Sequence, residues 1–413
     1  MPEALQRSLD SRAHLLLRLA RLLLEAGADS EDTRRSIEAI SNRWAMTAQL
    51  IIGSERLLLM LGDGDAYQVR VGHGMGALGV DVGRLSSLEV LVHGLNTGAC
   101  GTSDADKRLD DLERRPPTYP EWMTVMAVGG SAAALARLFG ADAYVVGAAL
   151  GAGVLNALMR RALPKLGMLP VGVAAVTAAA SAATAIAPLH YLGVNPSMAA
   201  VAAGMVLVPG VPLINGLRDV FHGHAAMGVA RLANGAMIVM AIATGLAAAS
   251  VMWQLDLPDV MQQGSVSIPW DFLFAGMAAL GFAISFNAPS RAIAGIAACG
   301  ALAHGLRTVA VSLGGDLTTG TAVGSFAAGI LAVLLARSMR LPWTAFAFPG
   351  VVALVPGSYA FRGMIGALGV MRAGASASFD LVAATLASVT AAGVLTVAIA
   401  AGLLMVEGLR DSR

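Results

Sequence analysis

From Glu121 onward the chain is a succession of apolar stretches separated by short polar, Pro or Gly breaks. Each stretch is close to the roughly 20 residues with which a helix crosses a bilayer. In hydrocarbon every backbone N–H and C=O must be satisfied within the segment, so the stretches are expected to be helices. Ten of them fit, at residues 122–139, 141–159, 168–188, 196–217, 227–253, 270–286, 291–313, 317–339, 343–364 and 379–406. The predicted fold is a polytopic α-helical membrane protein with about ten transmembrane helices. Composition agrees, because only 13% of the residues are charged, against about 25% in soluble domains. Glycine, at 48 residues, suits helices whose backbones approach closely. A formal net charge of +1 gives no reason to expect a nucleic-acid partner. Cys100 and Cys299, far apart, make neither a disulfide framework nor a four-cysteine metal site.

Residues 1–118 read differently and hold 14 of the 28 Lys and Arg residues. The apolar stretch His14 to Ala26 is interrupted by Arg18, Arg21 and Glu25 at helical spacing, so it reads as an amphipathic helix rather than a signal peptide. Gly27 stops it, and Asp29 or Ser30 is placed to cap a second helix running to about Met46. Three short strands are expected at Ala48–Ile52, Arg56–Leu61 and Tyr67–Val71, followed by helices near Ser87–Thr97 and Ser103–Glu113. The G-x-G-x-x-G at Gly74, Gly76 and Gly79 lies in no βαβ unit and reads as a flexible loop. The expectation is a small α+β cytoplasmic domain ending at Arg114-Arg115-Pro116-Pro117. With that domain inside, ten basic residues of the membrane part fall on the inner side and four on the outer, which favours both termini in the cytoplasm.

The membrane part repeats itself. At an offset of 147 residues, Leu207-Val208-Pro209-Gly210 falls on Leu354-Val355-Pro356-Gly357, and Phe139 and Arg160 fall on Phe286 and Arg307. The domains are therefore drawn at 1–118, 119–256 and 266–413, the last two being five-helix repeats. An odd number of helices per repeat makes the second copy enter the bilayer inverted. Inverted repeats let one fold exchange inward-open and outward-open states around a site at their interface. Pro and Gly inside corresponding helices free backbone groups that need a partner or a polar cavity, which points to Pro209, Gly210, Pro356 and Gly357. A packed kink is the plainer reading of the same residues.

Polar residues collect near these breaks: Asn215, Arg218, Asp219, His222 and His224 after the first, and Ser358, Tyr359 and Arg362 after the second. Arg218 and Asp219 are either solvated residues at a helix end or partners for the two charges of a zwitterion. Asn156, Asn234, His304, Arg307 and Asp380 lie in or beside predicted spans, where polar side chains are functional by default. Against that, Asp380 also suits an N-cap, and Arg307 can snorkel to the interface. Asp219 and then Asp380 are the candidates for proton coupling. The remaining substrate-binding candidates are Asn156, Asn215, Arg218, Asn234, Arg307, Ser358 and Tyr359. Gly147 and Gly151 form a G-x-x-x-G, expected to pack helices within the bundle. No P-loop, H-E-x-x-H, C-x-x-C or G-x-S-x-G occurs, so no ATPase, metalloprotease, redox or hydrolase reading gains support, and no cofactor or metal is expected.

Taken together, Glu25-Ala26-Gly27-Ala28-Asp29-Ser30-Glu31-Asp32-Thr33, Leu138-Phe139-Gly140, Leu207-Val208-Pro209-Gly210 and Leu354-Val355-Pro356-Gly357-Ser358 resemble the bacterial threonine/serine exporter family. The likeness covers nearly the whole chain, as a fusion of two five-helix units that some relatives keep on separate polypeptides. It implies export of L-threonine and L-serine through the bacterial inner membrane, by proton antiport driven by the proton motive force. Some two-chain relatives are similar to dicarboxylate exporters, which keeps a carrier of small carboxylates such as succinate open. A membrane-anchored signalling or enzymatic protein is the alternative from another class. The expected partners are a small-molecule substrate, protons and the lipid bilayer, with a homo-oligomer permitted by the small-residue helix faces.

Overall fold

Two hydrophobic patterns build two compact units, and the computed structural model describes residues 3–63, 66–72, 79–253 and 266–411 of them. Gly64, Asp65, Gly74, Gly76, residues 254–265 and Arg413 lie outside the described residues.

The first unit comprises residues 1–118 together with 211–233 and 286–289. Helix α1 (Glu3–Glu25) buries Leu9, Leu16, Leu19, Leu23 and Leu24, whereas Arg18 and Arg21 face outward. Gly27, at φ 107°, makes the left-handed turn that separates it from α2 (Ser30–Arg43). Asp29 caps α2 by accepting from the Asp32 N–H at 2.7 Å, and Glu31 and Asp32 stand in its positive first turn. Strands β1 (Thr47–Ile52), β2 (Leu57–Asp63) and β3 (Ala66–Val71) form an antiparallel meander in the order β1-β2-β3. Leu57, Leu59 and Leu61 alternate along β2 and are all buried, so one face of the sheet joins the core formed with α1. Helices α3 (Val82–Thr97) and α4 (Thr102–Arg114) complete this layer. Asp106, Asp110 and Glu113 of α4 surround the guanidinium of Arg18 at 2.5–3.0 Å.

The second unit holds 119–210, 234–285 and 290–413. The helices from Glu121 onward come in two matching series, in which residues 211–233 belong to the first unit. The first is α5 (Glu121–Leu138), α6 (Ala143–Ala162), α7 (Pro170–Tyr191), α8 (Ser197–Met205), α9 (Gly210–Phe221) and α10 (Ala225–Met252). The second is α11 (Ile268–Ser285), α12 (Ile293–Ser312), α13 (Leu317–Met339), α14 (Thr344–Val351), α15 (Gly357–Ala373) and α16 (Phe379–Asp411). An offset of 147 residues, the separation of Ser131 from Ala278, carries the start of α5, α7, α8 and α9 onto the start of α11, α13, α14 and α15.

Packing repeats with the same offset. A Cβ added at Gly153 would meet Ala132 Cβ at 2.9 Å, and one at Gly300 would meet Ala279 Cβ at 2.3 Å. Gly129 abuts the Leu150 carbonyl in the first series, and Gly276 the Ala297 carbonyl in the second. Between the series, Ser131 Oγ donates to the Ala278 carbonyl at 3.1 Å. A Cβ at Gly281 would meet the Ala127 carbonyl at 2.6 Å, so contacts recede along α5 as they advance along α11. The two helices pack antiparallel.

Among the described residues, seven helices are long and apolar enough to cross a membrane, or up to nine if each of two bent helix pairs counts as one span. The ten predicted stretches are reduced in two ways. Residues 196–217 and 343–364 do not form continuous helices, because α8 and α9 are bent by 55° and the α14 and α15 pair by 46°. The stretch at 122–139 becomes the 18-residue α5, which carries Glu121 and Arg137 near its ends and is not among the seven. Leu150, Val176, Met237, Leu273, Leu280, Leu334 and Leu386 are large apolar side chains left exposed on these helices, as a lipid-facing surface requires. Gly147 and Gly151 do not pack helices within the bundle: a Cβ on either would meet nothing within 4 Å. Gly129 and Gly153 take that role.

Candidate functional site: the crossed helix breaks and their polar surroundings

Both breaks are built from one Val-Pro-Gly turn. Because Pro209 and Pro356 have no N–H, the helix ladder stops, and the following glycine N–H turns back to the valine carbonyl. Gly210 N donates to Val208 O at 2.8 Å, and Gly357 N to Val355 O at 2.8 Å. Pro356, at φ −78° and ψ 50°, has the inverse γ-turn geometry. New helices, α9 and α15, start at these glycines.

The two breaks pack on each other reciprocally. A Cβ at Gly210 would lie 2.9 Å from Val355 Cγ2, and one at Gly357 would lie 3.0 Å from Val208 Cγ2. Each glycine thus makes room for the valine of the other repeat. Pro209, Gly210, Pro356 and Gly357 therefore share one locus, with the buried Ser358 following directly.

Around it the repeats diverge. On the first-repeat side, Asn156 of α6 is fully buried and donates from Nδ2 to the Ala203 carbonyl of α8 at 3.3 Å. Its Oδ1, and the hydroxyls of buried Thr177 and Ser181 on α7, have no hydrogen-bond partner among the described residues. In the second repeat the corresponding positions are Ala303, Gly324 and Ala328. That repeat instead carries a charged chain, in which Arg307 Nη2 stands 2.5 Å from His304 Nε2. His304 Nδ1 is 2.7 Å from Asp271 Oδ1, and Asp271 Oδ2 accepts from Thr308 Oγ1 at 2.9 Å. Tyr359 of α15 lies within electrostatic reach of Arg307 and carries the Arg362 guanidinium 5.2 Å over its ring. Asp271 escapes a sequence reading because an acid in the first turn of a helix passes for an ordinary helix start; its one signal is a carboxylate inside a predicted span.

The remaining candidates do not gather there. Asn215, Arg218 and Asp219 belong to the first unit, where they surround the start of α2. Asn215 Nδ2 donates to the Gly27 carbonyl at 2.9 Å. Arg218, with no exposed surface, ion-pairs with the equally buried Asp29 at 2.5 Å. Asp219 accepts from the Ser30 N–H at 2.9 Å and pairs with Arg231 at 2.9 Å. Arg231 also donates to the Ala28 carbonyl at 3.1 Å. Nearby, Glu31 accepts from Arg34 and Arg35 and lies 3.0 Å from His224 Nε2. Burial pushes the Glu31 carboxyl up, but the bonds from Arg34, His224 and Arg35 outweigh it and hold the group down at about 2. The cap role of Asp29 is readable locally, but its ion pair with Arg218 and that of Arg231 with Asp219 follow no local sequence signal. Asn234 is exposed on α10. Asp380 is exposed in the first turn of α16, and Ser378 supplies that helix's cap by accepting from the Leu381 N–H at 3.2 Å.

Residues 14–253 match the family model "Putative threonine/serine exporter", and residues 271–409 match a second, "Threonine/Serine exporter, ThrE". The chain belongs to the threonine/serine exporter family. Among curated members of that family, a "Threonine/serine exporter" of Corynebacterium glutamicum is 25% identical over 86% of this chain and 75% of its own length. A "Probable threonine/serine exporter" of Mycobacterium tuberculosis is 24% identical over 84% of this chain and 68% of its own length. The "Probable succinate transporter subunit YjjP" of Klebsiella aerogenes is 33% identical over 37% of this chain, which spans 59% of that relative. No solved structure matches the chain. Family membership and the apolar helices together make this a multi-pass bacterial membrane protein of a transporter family rather than an enzyme.

Proposed function

We propose that the chain is a secondary exporter of small hydroxylated amino acids, L-threonine and L-serine, coupled to protons and working by alternating access around the crossed Val-Pro-Gly breaks. The observation that carries this reading is the reciprocal fit of Gly210 with Val355 and of Gly357 with Val208. A pseudo-twofold at that contact relates Gly210 and Gly357, the corresponding glycines at which the broken helices restart, and the interface of two such repeats suits a small substrate. Counting α5, the repeat mate of α11, as a span gives ten. Ten spans place both termini on one side, and the basic residues favour the cytoplasm. The antiparallel packing of α5 on α11 supports inverted repeats, in which exchanging the two conformations swaps the open side. The site residues of this reading are Pro209, Gly210, Asn156, Pro356, Gly357, Ser358, Tyr359 and Arg307. Asn215, Arg218 and Asp219 would act through the N-terminal unit.

A small carboxylate is the second substrate reading. It is favoured by the relative titled as a succinate transporter subunit and by two cations, Arg307 and Arg362, that both interact with Tyr359. The test is efflux of radiolabelled threonine, serine and succinate from proteoliposomes under an imposed pH gradient, with and without an uncoupler. Uncoupler-sensitive threonine or serine flux is expected. Succinate flux alone would move the substrate to the carboxylate branch, and no flux of any of the three would overturn the exporter reading.

A further inference from the structure

We infer that Asp271, His304 and Arg307 form a proton-binding site of the transport cycle, in which a proton taken up at His304 Nε2 releases Arg307 toward the second helix break. The inference rests on the exporter reading and names the group that carries its proton.

The geometry assigns the resting state. Arginine has only donors, so the contact of Arg307 Nη2 with His304 Nε2 at 2.5 Å makes that ring nitrogen an acceptor. The imidazole proton then sits on Nδ1 and points at Asp271 Oδ1, 2.7 Å away. Thr308 Oγ1 donates to the other carboxylate oxygen at 2.9 Å. His304 is thus a neutral ring wedged between a carboxylate and a guanidinium, with the acid and the imidazole both buried. Both lie in helices long and apolar enough to span the membrane, where ionisable groups are otherwise rare.

This arrangement has two discrete states. A proton arriving at Nε2 occupies the lone pair that Arg307 uses and turns the acceptor into a donor. Two cations then face each other at hydrogen-bond distance, and the contact cannot persist. The imidazolium keeps its bond to Asp271, with which it is neutral as a pair. Arg307 leaves for the side where Tyr359 stands, two residues beyond Gly357. Loss of the proton restores the acceptor and draws the guanidinium back. One proton therefore decides whether a cation is tied to α12 or faces the break at which α15 begins.

The surroundings leave this switch without a competitor. On α13 the residues against Arg307 are Gly320 and Gly324, and α14 carries no titratable side chain. Asp316 caps the exposed head of α13 by accepting from the Thr318 and Thr319 N–H groups. On α5, Arg137 lies 5.9 Å over the Phe274 ring, one turn beyond Asp271 on α11. Tyr359 and Arg362 are the groups contributed by α15. The repeat sharpens the point: Arg307 has its counterpart in Arg160, but Asp271 and His304 answer to Thr124 and Ala157. The scaffold is duplicated and the titrating pair is not. In the orientation proposed above, α11 enters and α12 leaves at the outer face, the side from which a proton is driven inward.

The test uses the full chain in detergent, in lightly buffered solution with a pH indicator. Threonine, serine or succinate is added, and binding is followed in parallel by thermal stabilisation. The wild type is expected to take up or release a proton as it binds, to an extent that depends on pH. His304→Gln is expected to lose that exchange. Asp271→Asn, which keeps the shape and an acceptor for Nδ1, is expected to lose it or shift it to lower pH, and carries the test should His304→Gln not fold. Wild-type proton exchange in either folded variant overturns the inference, as does wild-type binding without any proton exchange. Absence of binding for all three probes would instead strike at the exporter reading.

Discussion

Removing the Asp219 carboxylate should open the start of α2. In Asp219→Ala the Arg231 guanidinium, whose side chain is 3% exposed, loses its partner at 2.9 Å, and the Ser30 N–H loses its acceptor. Stranding one member of a buried pair costs about 3–5 kcal/mol. Neither group reaches solvent, so screening does not reduce this figure. If the cost falls on local opening, amide exchange across residues 27–33 should accelerate roughly 10²- to 10⁴-fold, as read by hydrogen-exchange mass spectrometry in detergent. The double variant Asp219→Asn with Arg231→Met keeps an oxygen for Ser30 and removes both charges, and most of the protection should return, because neutral replacements of buried pairs are tolerated. Efflux measured on the same variants separates two roles for Asp219. A structural latch recovers flux together with protection, whereas a proton carrier leaves the protected double variant inactive. Wild-type exchange rates in Asp219→Ala would refute the reasoning altogether.

Three further outcomes follow from the same coordinates. Gly210→Ala and Gly357→Ala should each slow efflux, and each should be rescued only by trimming the opposing valine. Val355→Ala should rescue the first and Val208→Ala the second, since the added Cβ would sit 2.9 Å and 3.0 Å from those side chains; rescue by the valine of the same repeat would contradict the crossing. Glu31, held down at about 2 from an ordinary value of 4.5, contributes stability that is complete above pH 4.5 and is lost as pH falls toward 2. An acid titration of the first unit's exchange protection should show that loss, and Glu31→Gln should remove it from this window. Gly324→Val should destabilise the α12–α13 contact by at least the 1–3 kcal/mol typical of overpacking, because a Cβ there would stand 2.1 Å from the Ala303 carbonyl. A wild-type melting temperature would disprove that contact.

The parts of this molecule legible in the sequence are those that reuse one rule in both halves. Val-Pro-Gly survives at the 147-residue offset because the turn needs a residue without an N–H and then one without a Cβ, and no other pair supplies both. The three-stranded meander and the cap at Asp29 were equally legible, since turn and cap chemistry is local. Hydropathy measures apolar length and is blind to a bend, so the two breaks were legible only through Pro and Gly, and the stretch at 122–139 is the one that the count of seven to nine leaves out. The ion pairs were out of reach for another reason. Asp219 meets Ser30 across 189 positions of sequence, and no spacing rule links a cap in one domain to an acid that follows a helix break.

Comparison of the two repeats also points to the chemistry. A duplicated scaffold must keep whatever its crossing demands, so positions alike in the two repeats report packing. Positions that differ are released from that demand and are free to bind or titrate. Buried Asn156, Thr177 and Ser181 answer to Ala303, Gly324 and Ala328, while Asp271 and His304 answer to Thr124 and Ala157. Neutral polar groups thus stand in the first repeat and a carboxylate–imidazole pair in the second. A carrier of a zwitterion needs both kinds, hydrogen-bonding groups that recognise a small polar side chain and a group whose charge changes as the cycle turns. If that division holds, Asn156→Ala should alter the preference among threonine, serine and succinate without changing the pH dependence of efflux, and His304→Gln should do the reverse. A variant that changed both together would mean that the two sets of residues form a single site.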